Sequence, residues 1–536
     1  MIRGIIELIN KRASKHAEVT RKEKQINYYE NIVEEILRSL EKEESLEELP
    51  RAIYLLLSDN EELKLRTSKV IYRIIRNLST EQLLKLDLLF RERTSLDWNF
   101  DWVNENPNNM LHLAMSDEEK IAILGLCTFH PNGYFREKSI KLLSEFQNSS
   151  IIPYIIIRLN DWVSPLRTLA KEVLKNKLLI ENAKEIINNL PLLLRLKNCS
   201  RGVHEEIINM VTEFLISDKC RDELLCGLKS KNQKVRYYCY NTLMSFGVFH
   251  NATLIKYITK EKIPYIRLNV IRYVINNSSV DELKSFYRIL LKDKNPKVRS
   301  EVLLAVSKYE SIPIGKELEV SLLDRSFAMR ETARFLLGKR EFGNFAEFYR
   351  DTINKGESLV GAIYGLGETG TAQDCKHIEC YINTENIRLL RAVMVALCRL
   401  NYDGYREFFI DKLNDERVGI SKQAKKVLWE RFDSSDGELV YKINKEAGQK
   451  HVLINTAVLL FSLSKWNNIR YILEFCSSDD EELRSLAKYN LMKWRATFNR
   501  SFNKPTERQK ELIEEAIKKY VEFVDIKDIK FIEHCM

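Results

Sequence analysis

Three groups of residues have types and spacings that could do chemistry. Gly365-Leu366-Gly367-Glu368-Thr369-Gly370 carries the glycine spacing that cradles a pyrophosphate when a strand precedes it and a helix follows. Residues 357–364 read as helix instead, so these glycines are expected to end one helix and admit the next, one of them at positive φ. Cys375, His377 and Cys380 are soft-ligand types, but tetrahedral zinc wants a second ligand pair that the chain lacks. Five helical residues also turn the two cysteines about 140° apart. Asp97-Trp98 and Asp101-Trp102 recur at four-residue spacing, which puts both tryptophans on one helical face where they are expected to pack. His204, His250 and His451 fall near predicted helix ends, and nothing fixes a serine or cysteine nucleophile against any of them. No catalytic residue, cofactor or metal is expected, and the chain does not read as an enzyme.

Charge is the stronger signal. The whole chain carries a net charge of +9, yet residues 225–310 hold 16 Lys and Arg against 6 Asp and Glu, a net of +10. The other residues together are therefore at −1. Inside the block the cations recur in phase: Lys231, Lys234 and Arg236; Lys260, Lys262 and Arg267; Lys292, Lys294, Lys297 and Arg299. If each set sits at the same place in successive packed hairpins, about 8 to 10 Å apart, the sets line up as a ridge able to follow a polyanion. Tyr237, Tyr238, Tyr240, Tyr265 and Tyr273 would add stacking surface beside it.

The elements that must hold these residues are helices. Glycine (18) and proline (10) are scarce in 536 residues, so a fold needing many tight turns is disfavoured. An acidic residue stands six positions before an arginine at Asp161/Arg167, Asp293/Arg299, Asp324/Arg330 and Glu385/Arg391, with weaker echoes at Arg66, Arg136, Arg236, Arg267 and Arg484. From Arg236 the steps to Arg267, Arg299 and Arg330 are 31, 32 and 31 residues. Seven residues after these arginines lies an apolar side chain: Leu143, Leu174, Leu243, Val274, Val306, Leu337, Cys398 or Leu491. Seven residues is about two helical turns, so each pair marks one buried stripe. Each period has room for a second amphipathic helix, as in 281–291 before the Asp293 turn and 296–309 after it. The repeating unit is a helical hairpin.

With the acidic turn followed by Val/Leu-Arg, as in Lys297-Val298-Arg299 and Pro165-Leu166-Arg167, and with the stretch 362–370, the chain resembles the HEAT-repeat family. The likeness is closest to the short bacterial type called phycobilisome-lyase HEAT-like repeats. It implies an all-α, right-handed α-solenoid of about thirteen hairpins over residues 50–500, with second helices lining a concave face. The arginines are expected to ladder onto the acidic turns that precede them. Ser421 stands where an arginine is expected, Val360 and Arg201 fit the pattern poorly, and residues 80–130 follow it weakly. The family implies binding. The leading expectation is a non-catalytic scaffold or adaptor with a protein partner on its concave surface. The alternative is a nucleic-acid or other polyanion binder using the 225–310 block, allied to DNA repair in that HEAT-like alkylpurine DNA glycosylases carry aromatic and acidic residues of the kind seen near Trp98 and Trp102.

The ends differ from the middle. Ile2, Ile5, Ile6 and Ile9 share a helical face ahead of Lys11, Arg12, Lys15, Arg21, Lys22 and Lys24. That segment, within residues 1–49, suits a helix capping the first repeat, or a peripheral contact with an anionic membrane through residues 1–24. Residues 501–536 read as a C-terminal helical cap, opening with a Thr506/Gln509 capping box. No secretory signal or transmembrane run is read, and ten scattered cysteines suit a reducing, cytoplasmic compartment. Deleting residues 1–24 is expected to lower the melting temperature. An unchanged melting temperature with lost sedimentation on anionic vesicles would assign the segment to a membrane surface instead.

Overall fold

A computed structural model of the chain describes residues 32–42, 44–93, 101–340 and 342–536, and among these every regular element is helical. They fall into two compact units, Met1–Asn277 and Ser278–Met536. Each is a run of antiparallel helical hairpins, so the fold is an α-solenoid of HEAT-like repeats. No described helix is long and apolar enough to cross a membrane. The isoleucine face, the N-terminal basic cluster, Asp97 and Trp98 lie outside the described residues.

The helices start where the sequence supplies caps. Ser279 closes a capping box with Glu282 at the head of the helix Val280–Leu290. The Asn295 side chain accepts the Lys297 N–H and Pro296 opens Pro296–Val306, its missing N–H costing nothing in the first turn. Asn232 caps Gln233–Ser245 in the same way. The stripe seven residues past the arginines is the core: Leu143, Leu174, Leu243, Val274 and Val306 are at most 1% exposed. Cys398 alone is only partly covered.

What registers one hairpin on the next is the arginine, and it works differently from expectation. Arg136 donates through Nη1 to the carbonyls of His130 (2.8 Å) and Pro131 (2.7 Å), six and five residues back, at the turn of its own hairpin. Its Nε and Nη2 reach forward to the Asp161 carboxylate at 3.1 and 2.8 Å, in the next turn. Arg236 repeats this on Ser230 and Glu261, and Arg299 on Asp293 and Asp324. In these three repeats the arginine takes only carbonyls from the turn before it, and its carboxylate lies 25 residues ahead, one repeat less the six-residue offset; Arg66 instead pairs with Glu34 and Glu41, which precede it. Each acid also accepts the N–H two residues on, as Asp161 does from Val163 (3.0 Å) and Asp324 from Ser326 (2.8 Å). One acid thus ties its own turn and its neighbour together.

Degenerate repeats show the same demand met by other residues. Arg391 is exposed, and the carbonyls of Thr384 and Glu385 are capped instead by Arg417 at 3.2 and 3.3 Å. Ser421, where an arginine was expected, is fully buried and accepts from Asn455 at 3.0 Å. At the C-terminus Thr506 and Gln509 form the capping box, and Trp466 Nε1 donates to the Asn503 carbonyl at 2.7 Å beside it.

Asp161 is the most demanding case, because Arg136 and Arg158 share it with all three side chains buried. Burial alone would raise this carboxyl, yet Arg158 and Arg136 hold it below its ordinary value. Its contribution to stability is present above the ordinary aspartate pKa of about 4 and is lost as pH falls further. Asp161→Asn should cost about 3–5 kcal/mol in urea unfolding at neutral pH, since two guanidiniums lose their partner. That deficit should shrink on acidification; a loss under about 1 kcal/mol would refute the role.

Candidate binding edge

The 225–310 block crosses the division between the units, so each side is described by itself. In the first unit, Lys231 stands in the turn before Gln233–Ser245 and Lys234 in that helix's first turn, while Lys260 and Lys262 stand in the turn before Pro264–Asn276. The Arg236–Glu261 pair (2.8 Å) clasps these two turns together. Lys231, Lys260 and Lys262 therefore share one edge, and all three are exposed. None has a carboxylate within ion-pair distance among the described residues. Lys234 differs: it pairs with Glu81, 153 residues earlier, and that contact raises the lysine and lowers the glutamate. In the second unit, Lys292, Lys294 and Lys297 are exposed around the turn before Pro296–Val306, again without a described carboxylate partner.

The three ladder arginines of the block face inward by comparison, whereas Arg272 and Arg288 are exposed. Arg236 is spent on Glu261 and two carbonyls, and Arg267 donates to the Glu261 and Lys262 carbonyls at 2.9 and 3.1 Å. Arg299 is bound to Asp293 and Asp324. Burial would raise the Glu261 carboxyl, but its hydrogen bonds from Arg236 keep it below the usual range, so the clasp stays ionised at neutral pH. The edge thus has two kinds of cation. Arginines hold the turns together, and lysines project.

The tyrosines divide too. Tyr237 packs on Tyr238 and Tyr265, with ring centroids 5.3 and 5.7 Å apart, and Tyr265 is half exposed beside Lys234. Tyr240 is buried at 2% and offers no stacking surface, because its helical position faces the core.

The other motifs resolve into packing. Gly365 and Gly367 sit inside the helix Leu359–Thr369, and neither of them nor Gly370 has positive φ. A side chain at Gly365 would overlap the Tyr349 ring, and one at Gly367 would lie 2.6 Å from Ala396 Cα. The helix does end at this segment, with Gly370 as its extended C-cap before the turn Ala372–His377, but without the expected positive φ, and Gly365 and Gly367 instead let helices touch. Glu368 is the ladder acid for Arg330 and is also bound by Arg334 and Arg399. Cys375 is buried and Cys380 exposed, and no three metal-binding side chains gather among the described residues. Trp102 packs between His130 and Phe135, with centroids 4.2 and 5.0 Å away.

No protein-family model matches this chain, and no curated protein matches it. Among solved structures it is similar to Kap121p (12% identity, TM-score 0.28), covering 91% of this chain and 56% of that one. It is also similar to Kap95p in a study of RanGDP binding (10%, TM-score 0.24, covering 98% and 67%) and to UNC-45 from Drosophila melanogaster (13%, TM-score 0.19, covering 97% and 80%). The chain spans little more than half of Kap121p. Superpositions this loose transfer no ligand.

Replacing Lys231, Lys260, Lys262, Lys292, Lys294 and Lys297 together by glutamine should leave the melting temperature within a few degrees of the parent, since exposed substitutions cost within about 0.5 kcal/mol each. A large destabilisation would show that these lysines are structural.

Proposed function

We propose that this chain is a non-catalytic HEAT-repeat adaptor, of the short bacterial kind, that holds an acidic protein surface on its concave side and along its turn edge. The observation that supports this is the sorting of cations just described. Arg236 and Arg299 are neutralised by Glu261 and Asp324, so they add little to the field outside. The turn lysines stand on flexible stems with no carboxylate partner among the described residues, the state in which a cation steers and holds an acidic partner. In this reading residues 1–49 and 501–536 close the ends of the array at 50–500, and the protein works in the cytoplasm.

A nucleic-acid partner is the second reading, favoured by the half-exposed Tyr265 beside Tyr237 and Lys234. The two separate in one assay. Fluorescence anisotropy is run with labelled poly-glutamate and with a DNA duplex, across a salt series. The adaptor reading expects saturable poly-glutamate binding that weakens with salt, and loss of that binding in the six-lysine variant. Binding of duplex alone, with a salt slope reduced in the variant, would replace the adaptor reading by the nucleic-acid one. Binding of neither at low ionic strength would overturn both.

A further inference from the structure

The ladder has a gap in the first unit. Arg167 donates through Nη1 to the carbonyls of Asp161 (2.8 Å) and Trp162 (3.2 Å), as a ladder arginine should. Twenty-five residues ahead, where its carboxylate belongs, stands Leu192, and no described acid pairs with it. Positive charge is in excess at that point. Arg91 and Arg158 share Asp87, Arg136 and Arg158 share Asp161, and Arg195 and Arg201 have no carboxylate partner among the described residues. Six guanidiniums thus meet two carboxylates. His204 beside them is pushed down by burial and by Arg167 and Arg195, so it is neutral at pH 7 and brings no further charge.

This excess surrounds a cavity of about 450 Å³ lined by Asp87, Arg91, Arg158, Arg195, Arg201 and Trp162. Its size is in the range of small-molecule sites. The Nε atoms of Arg91, Arg158 and Arg195 are buried and have no hydrogen-bond acceptor. Four guanidiniums line this space with a single carboxylate, Asp87, and that excess of positive charge calls for an oxyanion. Guanidinium forks match the oxygen spacing of a phosphoryl group. Trp162 gives the site a second character. The Arg201 guanidinium lies 3.5 Å from its ring centroid, and the indole remains 65% exposed, so a planar group can stack on it.

We infer that this arginine-lined cavity binds a phosphorylated small molecule bearing a planar ring, a nucleoside phosphate by class, with its phosphoryl oxygens on Arg91, Arg195 and Arg201 and its ring against Trp162. The site is distinct from the lysine edge and does not depend on the adaptor reading. Isothermal titration of the full chain with pyrophosphate and with ADP at low ionic strength tests it. Both should bind, ADP the more tightly, and each should raise the melting temperature of the parent chain in proportion to its affinity. Arg195→Gln and Arg201→Gln remove no ion pair, so they should fold as the parent does. Each should weaken both ligands about tenfold or more. Trp162→Ala should weaken ADP and leave pyrophosphate nearly unchanged. If neither ligand binds or shifts the parent's melting temperature, the site is refuted. Pyrophosphate binding with no gain for ADP would remove the planar-ring assignment. Retention of a single-stranded oligonucleotide without ADP would overturn the small-molecule assignment.

Discussion

In four repeats one guanidinium, that of Arg136, Arg236, Arg299 or Arg330, makes two commitments, and the stacking there depends on both. An arginine near the start of the second helix donates backward to the carbonyls of its own turn and forward to the acid of the next turn. Only a planar fork with five donors can serve both directions at once; a lysine ammonium at Arg136 could not span His130 and Asp161 together. The carbonyls need this donor because a helix end buried between hairpins would otherwise leave them unsatisfied. The acid needs it because a carboxylate as buried as Asp161 or Glu368 is tolerable only when paired. Burial would lift the Glu368 carboxyl, and the arginines around it hold it low.

From this constraint follows a division of labour among cations. Those that satisfy the ladder are unavailable to a ligand, whatever their abundance in the sequence. Those left over are of two kinds. Turn lysines such as Lys231, Lys260 and Lys262 are exposed and suit a broad, salt-sensitive contact. Arginines gathered where the ladder lacks an acid, opposite Leu192, line one cavity and are partly covered, which suits a small oxyanion. A net charge of +9 says nothing about this partition; the pairing geometry does.

The repeat was legible because its spacing is a covalent consequence of the fold. Arg236, Arg267, Arg299 and Arg330 recur at the hairpin length, and the apolar residue seven places on marks the buried stripe. The direction of the ladder was not legible, since an acid six residues before an arginine and 25 residues after the previous one satisfy the same pattern. Arg417 in place of Arg391 was hidden for a related reason: the carbonyls need a donor, not a particular register. The helix end at Gly370 was legible, but the packing role of Gly365 and Gly367 was not, because sequence shows their flexibility and not the Tyr349 ring or Ala396 backbone against them. Tyr240 was misassigned by counting aromatics without their helical phase. Of the candidate edge, charge and phase were readable in the sequence, whereas the Lys234–Glu81 contact joins residues too far apart for any local pattern. The cavity was invisible, since Arg91, Arg158, Arg195 and Arg201 share no spacing.

The central claim is that the arginine and the acid of the next turn are energetically one unit. A double-mutant cycle on Arg236→Gln and Glu261→Gln, measured by urea unfolding, tests it with one pair that is largely buried. The account predicts that each single change is destabilising and that the double variant loses far less than the sum, because either change alone strands the other charge. Losses that add to within about 0.5 kcal/mol would contradict it.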